Sequence, residues 1–126
     1  QDVTVADAMS SPVTTVEPTV PLARVVEMMY ETKHLGFPVV ERGSLVGIIT
    51  LSDIHKVPQL DREAMQVRDV MTRNPTTLSP SAPLIDALRI ISGMDIGRIP
   101  VVADDVLVGI VTRTDVLRVM ELREEG

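Results

Sequence analysis

The chain is a duplication: displacing it by 62 positions lays one half on the other without a gap. Val5-Ala6-Asp7-Ala8-Met9 falls on Val67-Arg68-Asp69-Val70-Met71, and Pro38-Val39-Val40 on Pro100-Val101-Val102. Leu45-Val46-Gly47-Ile48-Ile49-Thr50-Leu51-Ser52-Asp53 falls on Leu107-Val108-Gly109-Ile110-Val111-Thr112-Arg113-Thr114-Asp115. Of the 50 residues from 5 to 54, 17 are identical to their partners. Two repeats, 1–62 and 63–126, therefore account for the chain as one compact module. Units this short are expected to bury each other's apolar faces, and the seam between them is a natural place for a ligand.

Composition narrows the partners. With 44% hydrophobic residues the 126-residue chain can fill a core, but that filling is aliphatic, because Phe37 and Tyr30 are its only aromatics. Stacking of bases on exposed rings is thereby nearly excluded. A net charge of −6 argues against a phosphate-backbone partner, whose affinity comes from Lys and Arg. Nucleic acid is not expected. No apolar run approaches the roughly 20 residues that cross a bilayer, so no direct membrane contact is expected. The absence of cysteine removes disulfides and thiol chemistry, which fits a cytoplasmic setting or the cytoplasmic portion of a membrane protein. The chain starts at Gln1 rather than Met, as a fragment of a longer protein would.

Local patterning predicts the same elements twice. A helical turn follows Asp7 and ends at Ser10-Ser11-Pro12, since the residue before proline is pushed out of the α region. Val13 to Val16 is β-rich. Pro21 suits the first turn of a helix to about Thr32, in which Leu22, Val25, Val26, Met28 and Met29 form one apolar face. Phe37 to Val40, with Pro38 as first strand residue, and Leu45 to Ile49 read as a hairpin turning at Arg42-Gly43-Ser44. A second helix opens at Thr50-Leu51-Ser52-Asp53, capped by Thr50 or Ser52. The second repeat follows suit over Pro83–Gly93, Ile99–Ala103, Leu107–Val111 and Asp115–Leu122. The order makes each repeat an α+β unit. The methionines at 28, 29, 65, 71, 94 and 120 are expected in the core, and Glu121 to Glu125 as a solvated helix end.

The Asp-x-Met starts (Asp7, Met9; Asp69, Met71), the Pro-Val-Val strands and the two Gly-Ile-Ile/Val-Thr-x-x-Asp segments together resemble the tandem CBS-domain pair, or Bateman module, over nearly the whole chain. That resemblance implies two CBS repeats related by a pseudo-two-fold axis, with small sheets packed together, flanking helices, and clefts that in many members hold adenosyl ligands. It also implies a homodimer through the helices and a fused effector domain or partner protein. The connector Leu51 to Pro58 additionally resembles CBS pairs fused to site-2-type membrane zinc metalloproteases, although the HExxH zinc motif is absent here.

Carried over residue by residue, the resemblance places Asp53 and Asp115 as acceptors for ribose hydroxyls, which suits a carboxylate with room for two donors. One cleft would take Ile110, Thr112, Thr114 and Asp115 with Thr14, His34, Leu35 and Gly36. The other would take Ile48, Thr50, Ser52 and Asp53 with Thr76, Ile96 and Gly97. Arg98 stands where a basic side chain would reach a phosphate, and its partner in the first repeat is Gly36. The same Thr, Ser and Asp residues would also serve as plain helix caps, and Arg98 as a solvated surface residue. His34 and His55 alone cannot build a metal site without carboxylates at ligand spacing, so no metal is expected. No nucleophile, triad or glycine-rich phosphate loop is present, so the segment is not expected to be an enzyme and requires no cofactor. Three readings stay open: a regulatory sensor of AMP, ADP, ATP, S-adenosylmethionine or NAD; a ligand-free dimerisation module; or a regulatory fragment of a larger enzyme such as a membrane metalloprotease.

Overall fold

The structure, a computed structural model, describes residues 2–94 and 96–125. Its elements run α1 (Val5–Ala8), α2 (Leu22–Thr32), β1 (Gly36–Glu41), β2 (Ser44–Thr50), α3 (Leu51–His55), a 3-10 turn (Gln59–Asp61), α4 (Val67–Val70), β3 (Thr72–Arg73), α5 (Leu84–Gly93), β4 (Arg98–Ala103), β5 (Val106–Thr112) and α6 (Arg113–Glu125). Among the described residues no helix is long and apolar enough to cross a membrane.

In space the chain divides at other places than in sequence. One unit is Thr14–Pro75, hereafter the Asp53 unit; the other combines Gln1–Val13 with Thr76–Gly126, hereafter the Asp115 unit. The repeats 1–62 and 63–126 are thus not the compact units, because the opening segment of each repeat packs on the sheet of the other repeat. Glycine makes this docking close. A Cβ on Gly109 would stand 2.5 Å from Met9 Sδ and 3.1 Å from Ser10 O, and one on Gly47 would stand 2.7 Å from Thr72 O and 2.8 Å from Met71 Sδ. At Gly47 the nearest atom is a backbone oxygen, so a side chain there cannot be accommodated without moving the strand, whereas at Gly109 the nearest atoms belong to a flexible methionine.

In the Asp53 unit, β1 and β2 form an antiparallel hairpin with Gly36 opposite Thr50, and β3 extends the sheet on the β2 side. Arg42 and Gly43 turn it with φ of 52° and 83°, the paired left-handed conformation that matches strand twist. Leu22, Val25 and Met29 of α2 bury against Phe37, Val39 and Ile49 of the sheet, with Val67 and Met71 closing the core. The Asp115 unit repeats the hairpin in β4 and β5, with Arg98 opposite Thr112 and a turn at Asp104 and Asp105, both left-handed. Its core joins Val5 and Ala8 of α1 to Leu84, Ala87 and Ile91 of α5 and to Ile99, Val101, Val111 and Val116.

Several expectations need correction. The helical turn begins at Val5, two residues before Asp7. Val13 to Val16 is no strand: only Val16 bridges the sheet, parallel to Val39. Pro38 is the third residue of β1, not the first. It is tolerated because its carbonyl, and therefore its missing N–H, faces Val16 rather than β2, and β1 is an edge strand. Met94 and Met120 are 58% and 38% exposed, since they sit on the outward sides of α5's end and α6; Met29 and Met71 are in the core as expected. The second helix of the first repeat stops at His55, because the chain turns through Pro58 toward the second repeat, whereas α6 runs on to Glu125.

Candidate ligand site at the strand-to-helix junctions

Each unit presents one junction where a strand runs directly into a helix, and Thr-x-x-Asp builds it. Thr50 is the N-cap of α3: its amide and Oγ1 donate to Asp53 Oδ2 at 2.9 and 3.0 Å, and the Asp53 amide donates to Thr50 Oγ1 at 3.3 Å. This reciprocal box satisfies amides that a helix start otherwise leaves bare. Of the two capping candidates, Thr50 and not the exposed Ser52 takes the role. At the second junction the Thr112 amide donates to Asp115 Oδ2 at 2.8 Å and the Asp115 amide to Thr112 Oγ1 at 3.2 Å. The capping role is therefore met in both copies. Asp53 Oδ2 thereby accepts two donors, which leaves its Oδ1 as the atom open to a further one, while Asp115 Oδ2 accepts one.

The two junctions differ in what surrounds Oδ1. Asp115 is buried at 7% exposure, and Arg118 Nη1 donates to its Oδ1 at 3.4 Å. Asp53 is half-buried, and among the described residues no donor reaches its Oδ1. Arg98 sits across the ladder from Thr112 and is half-buried, and burial pushes its guanidinium pKa down from the ordinary value. An arginine stays cationic at neutral pH regardless. Arg113, the first residue of α6, donates its amide to Gly97 O at 3.3 Å. Arg98, Arg113 and Arg118 thus gather at the Asp115 junction, where the equivalent positions of the other are Gly36, Leu51 and Lys56. The sequence argument singled out Arg98 but missed Arg113 and Arg118; their signal was their replacement by Leu51 and Lys56 in a segment otherwise nearly repeated.

The remaining predicted residues fall into the two units as follows. The Asp53 unit holds Thr14, His34, Leu35, Gly36, Ile48, Thr50 and Ser52. Gly36 is buried against Thr50, Ile48 is buried, Leu35 accepts the Leu51 amide at 3.0 Å, and Thr14 and His34 are exposed. The Asp115 unit holds Thr76, Ile96, Gly97, Arg98, Ile110, Thr112 and Thr114. Ile110 exchanges both backbone hydrogen bonds with Ser10, at 2.8 and 3.1 Å, so its main chain is already engaged and only its side chain is left to meet a ligand.

The CBS domain matches this chain twice, at residues 5–59 and 67–122. The structure is similar to that of CBSX2 from Arabidopsis thaliana in complex with AMP, at a TM-score of 0.83 and 30% identity, covering 96% of this chain and 98% of that one. It is likewise similar to the CBS domain pair of protein MJ0100 in complex with 5'-methylthioadenosine and S-adenosyl-L-methionine, at a TM-score of 0.87 and 30% identity, covering 98% and 99%. Zinc metalloprotease MJ0392 of Methanocaldococcus jannaschii is 36% identical over 113 residues, 87% of this chain and 31% of that protein. The chain spans less than half the length of the curated relatives it matches.

Proposed function

The chain belongs to the CBS-domain family, and on that premise we propose that it is a regulatory module that binds an adenosyl ligand at its Thr-x-x-Asp junctions and passes occupancy to an attached domain or partner protein. The observation that carries this reading is the junction itself, built twice with the carboxylate oriented by the threonine amide. The AMP complex of CBSX2 and the methylthioadenosine and S-adenosylmethionine complex of MJ0100 supply the ligand class. Asp53 and Asp115 would accept ribose hydroxyls. The three arginines near Asp115 favour phosphorylated ligands there, since a guanidinium can fork onto phosphate oxygens. The Asp53 junction, with one lysine, would favour ligands without phosphate. The segment itself has no catalytic part in this reading, and a larger enzyme such as a membrane metalloprotease would be the thing regulated.

A thermal-shift screen with AMP, ADP, ATP, S-adenosylmethionine and NAD tests it. A ligand present at a hundred times its Kd and bound only to the native state adds about 2.7 kcal/mol, worth several degrees in Tm. No shift with any of the five at millimolar concentration would leave the boxes as helix caps and favour a ligand-free scaffold.

A further inference from the structure

The two units start their long helices alike and then part. In the Asp53 unit the Leu22 amide donates to Met65 O at 3.0 Å and Pro21 bridges Gln66; in the Asp115 unit the Leu84 amide donates to Val3 O at 2.9 Å and Pro83 bridges Thr4. These are the same positions of the repeat. One step further out the likeness fails. The Ala23 amide, second in α2, donates to Arg62 O at 3.0 Å, whereas its equivalent in α5, the Ile85 amide, meets no acceptor among the described residues.

The connector is the cause. Pro58 turns the chain away after α3, and a 3-10 turn carries it past the start of α2, with the Asp61 and Arg62 amides bonded to Pro58 O at 2.9 Å and Gln59 O at 3.3 Å. In the Asp115 unit Met120 stands in place of Pro58, and α6 runs straight on to Glu125. The walls that the connector joins in one unit are therefore left unjoined in the other. Between them lies a groove of about 610 Å³, with Val3, Leu84 and Ile85 on one side and Val119 and Met120 on the other.

We propose that this groove seats the stretch of polypeptide that leads into Gln1, laid across the start of α5 as Pro58–Arg62 is laid across the start of α2, with a backbone carbonyl on the Ile85 amide. A helix start leaves its first amides for whatever chain crosses it, and an apolar groove beside them rewards burial of a side chain. The occupant follows from place. Asp2, Val3 and Thr4 form the edge of the groove, and a chain advances at most about 3.5 Å per residue, so the few residues ahead of them pass along it. The inference rests on the proposed function in one respect, that the regulated domain is joined ahead of Gln1. It gives that domain a route to the ligand site, because α6 opens at the Asp115 junction and walls the groove with its far half.

The probe is a six-residue extension, Val-Pro-Gln-Leu-Asp-Arg, copied from Val57–Arg62 and joined ahead of Gln1 so that its arginine precedes Gln1 as Arg62 precedes Glu63. A Gly-Ser extension of equal length is the control. Amide hydrogen exchange, read by NMR without nucleotide, is expected to slow about ten-fold at Ile85 relative to the control, with Ala23 unchanged. Met120→Glu, at a 38% exposed position of the groove wall, should abolish that slowing while leaving the Tm of the unextended chain within a degree or two of wild type. Equal exchange at Ile85 in the two extended chains would overturn the proposal, and so would protection that survives Met120→Glu, which would place the segment outside the groove. Since no nucleotide is present, either result leaves the adenosyl reading to be decided by the thermal-shift screen alone.

Discussion

Placing a methyl group on Gly47 or Gly109 tests the way each repeat hands its opening segment to the other, and the two sites differ in a calculable way. At Gly109 the nearest atoms to a new Cβ are Met9 Sδ at 2.5 Å and Cγ at 3.0 Å, with Ser10 O at 3.1 Å. Methionine is unbranched and can swing aside for the cost of an off-rotamer torsion, about 0.5–1.5 kcal/mol. Replacing glycine also restricts the unfolded chain, which offsets about 0.4–1 kcal/mol. Gly109→Ala therefore costs no more than about 1 kcal/mol net. At Gly47 the nearest atom is Thr72 O at 2.7 Å, a backbone oxygen in the strand that pairs with β2. No rotamer relieves that clash. Gly47→Ala has to move β3 from the ladder, at about 2–3 kcal/mol before the same offset. For a chain of this size the net loss lowers Tm by roughly 5–10 °C, against a few degrees at most for Gly109→Ala. Adding Met9→Ala to Gly109→Ala should recover about 0.5–1 kcal/mol relative to the sum of the singles, whereas Met71→Ala in the Gly47→Ala background should recover little. Urea unfolding of the four variants and their parents measures this. Equal losses at the two glycines would refute the argument, because they would mean that the Thr72 carbonyl does not constrain β2.

Gln66 occupies the position before α4 that Thr4 holds before α1, and among the described residues its buried Oε1 has no hydrogen-bond partner. Gln66→Thr should raise stability by about 1 kcal/mol, read as a Tm higher by a few degrees, and a lower Tm would show that the glutamine amide has a packing role. In calorimetric titrations, Arg98→Ala should weaken AMP binding while leaving adenosine unchanged, since in the proposed function the guanidinium serves the phosphate alone; equal losses for both would rule Arg98 out as a phosphate contact. Asp115→Ala should weaken nucleotide binding more than Asp53→Ala, and it should also destabilise the fold more, because the Asp115 carboxylate is buried and bonded through both oxygens.

The helices and hairpins were legible because their causes are local. The spacing of Leu22, Val25 and Met29 fixes the inward face of α2, and Arg42-Gly43 fixes the turn of the first hairpin. The exchange of opening segments was not legible, for a physical reason. Val5 and Val67, Met9 and Met71, and Gly47 and Gly109 are the same residues in both repeats. A methionine that fits the glycine of its own repeat fits that of the other equally well, so no side-chain pattern reports which sheet is chosen. The choice depends on where the chain can travel between Ser10 and Thr14 and between Thr72 and Thr76, which no periodicity encodes. At the candidate site the capping box could be read from Thr-x-x-Asp, and the helix expected over Asp115–Leu122 with its end at Glu121 to Glu125 is α6, but the burial of Asp115 was not legible, because it depends on the core around Val116 that no local pattern reports.

An internal duplication provides its own control on what a residue is for. Positions held by packing or capping have to serve the same backbone twice, and they are the same twice: the glycines at 47 and 109, the methionines at 9 and 71, and the Thr-Asp boxes at 50–53 and 112–115. Positions that differ sharply in charge on an otherwise repeated backbone are not explained by the fold, since the other copy folds without them. Two groups of such positions stand out. Gly36, Leu51 and Lys56 against Arg98, Arg113 and Arg118 lie at the junctions, and the inverted pairs at 24/86, 27/89, 61/123 and 62/124 lie on the helical faces. The first is the difference on which the proposed preference for phosphorylated ligands at the Asp115 junction rests. If the junction arginines served stability alone, Arg98→Ala and Arg113→Leu would lower Tm in the absence of ligand, Arg113→Leu merely installing what the Asp53 unit already has. The expected result is a Tm within a degree or two of wild type together with a lost preference for AMP over adenosine, and a large drop in Tm with that preference intact would show that the divergence serves the fold after all.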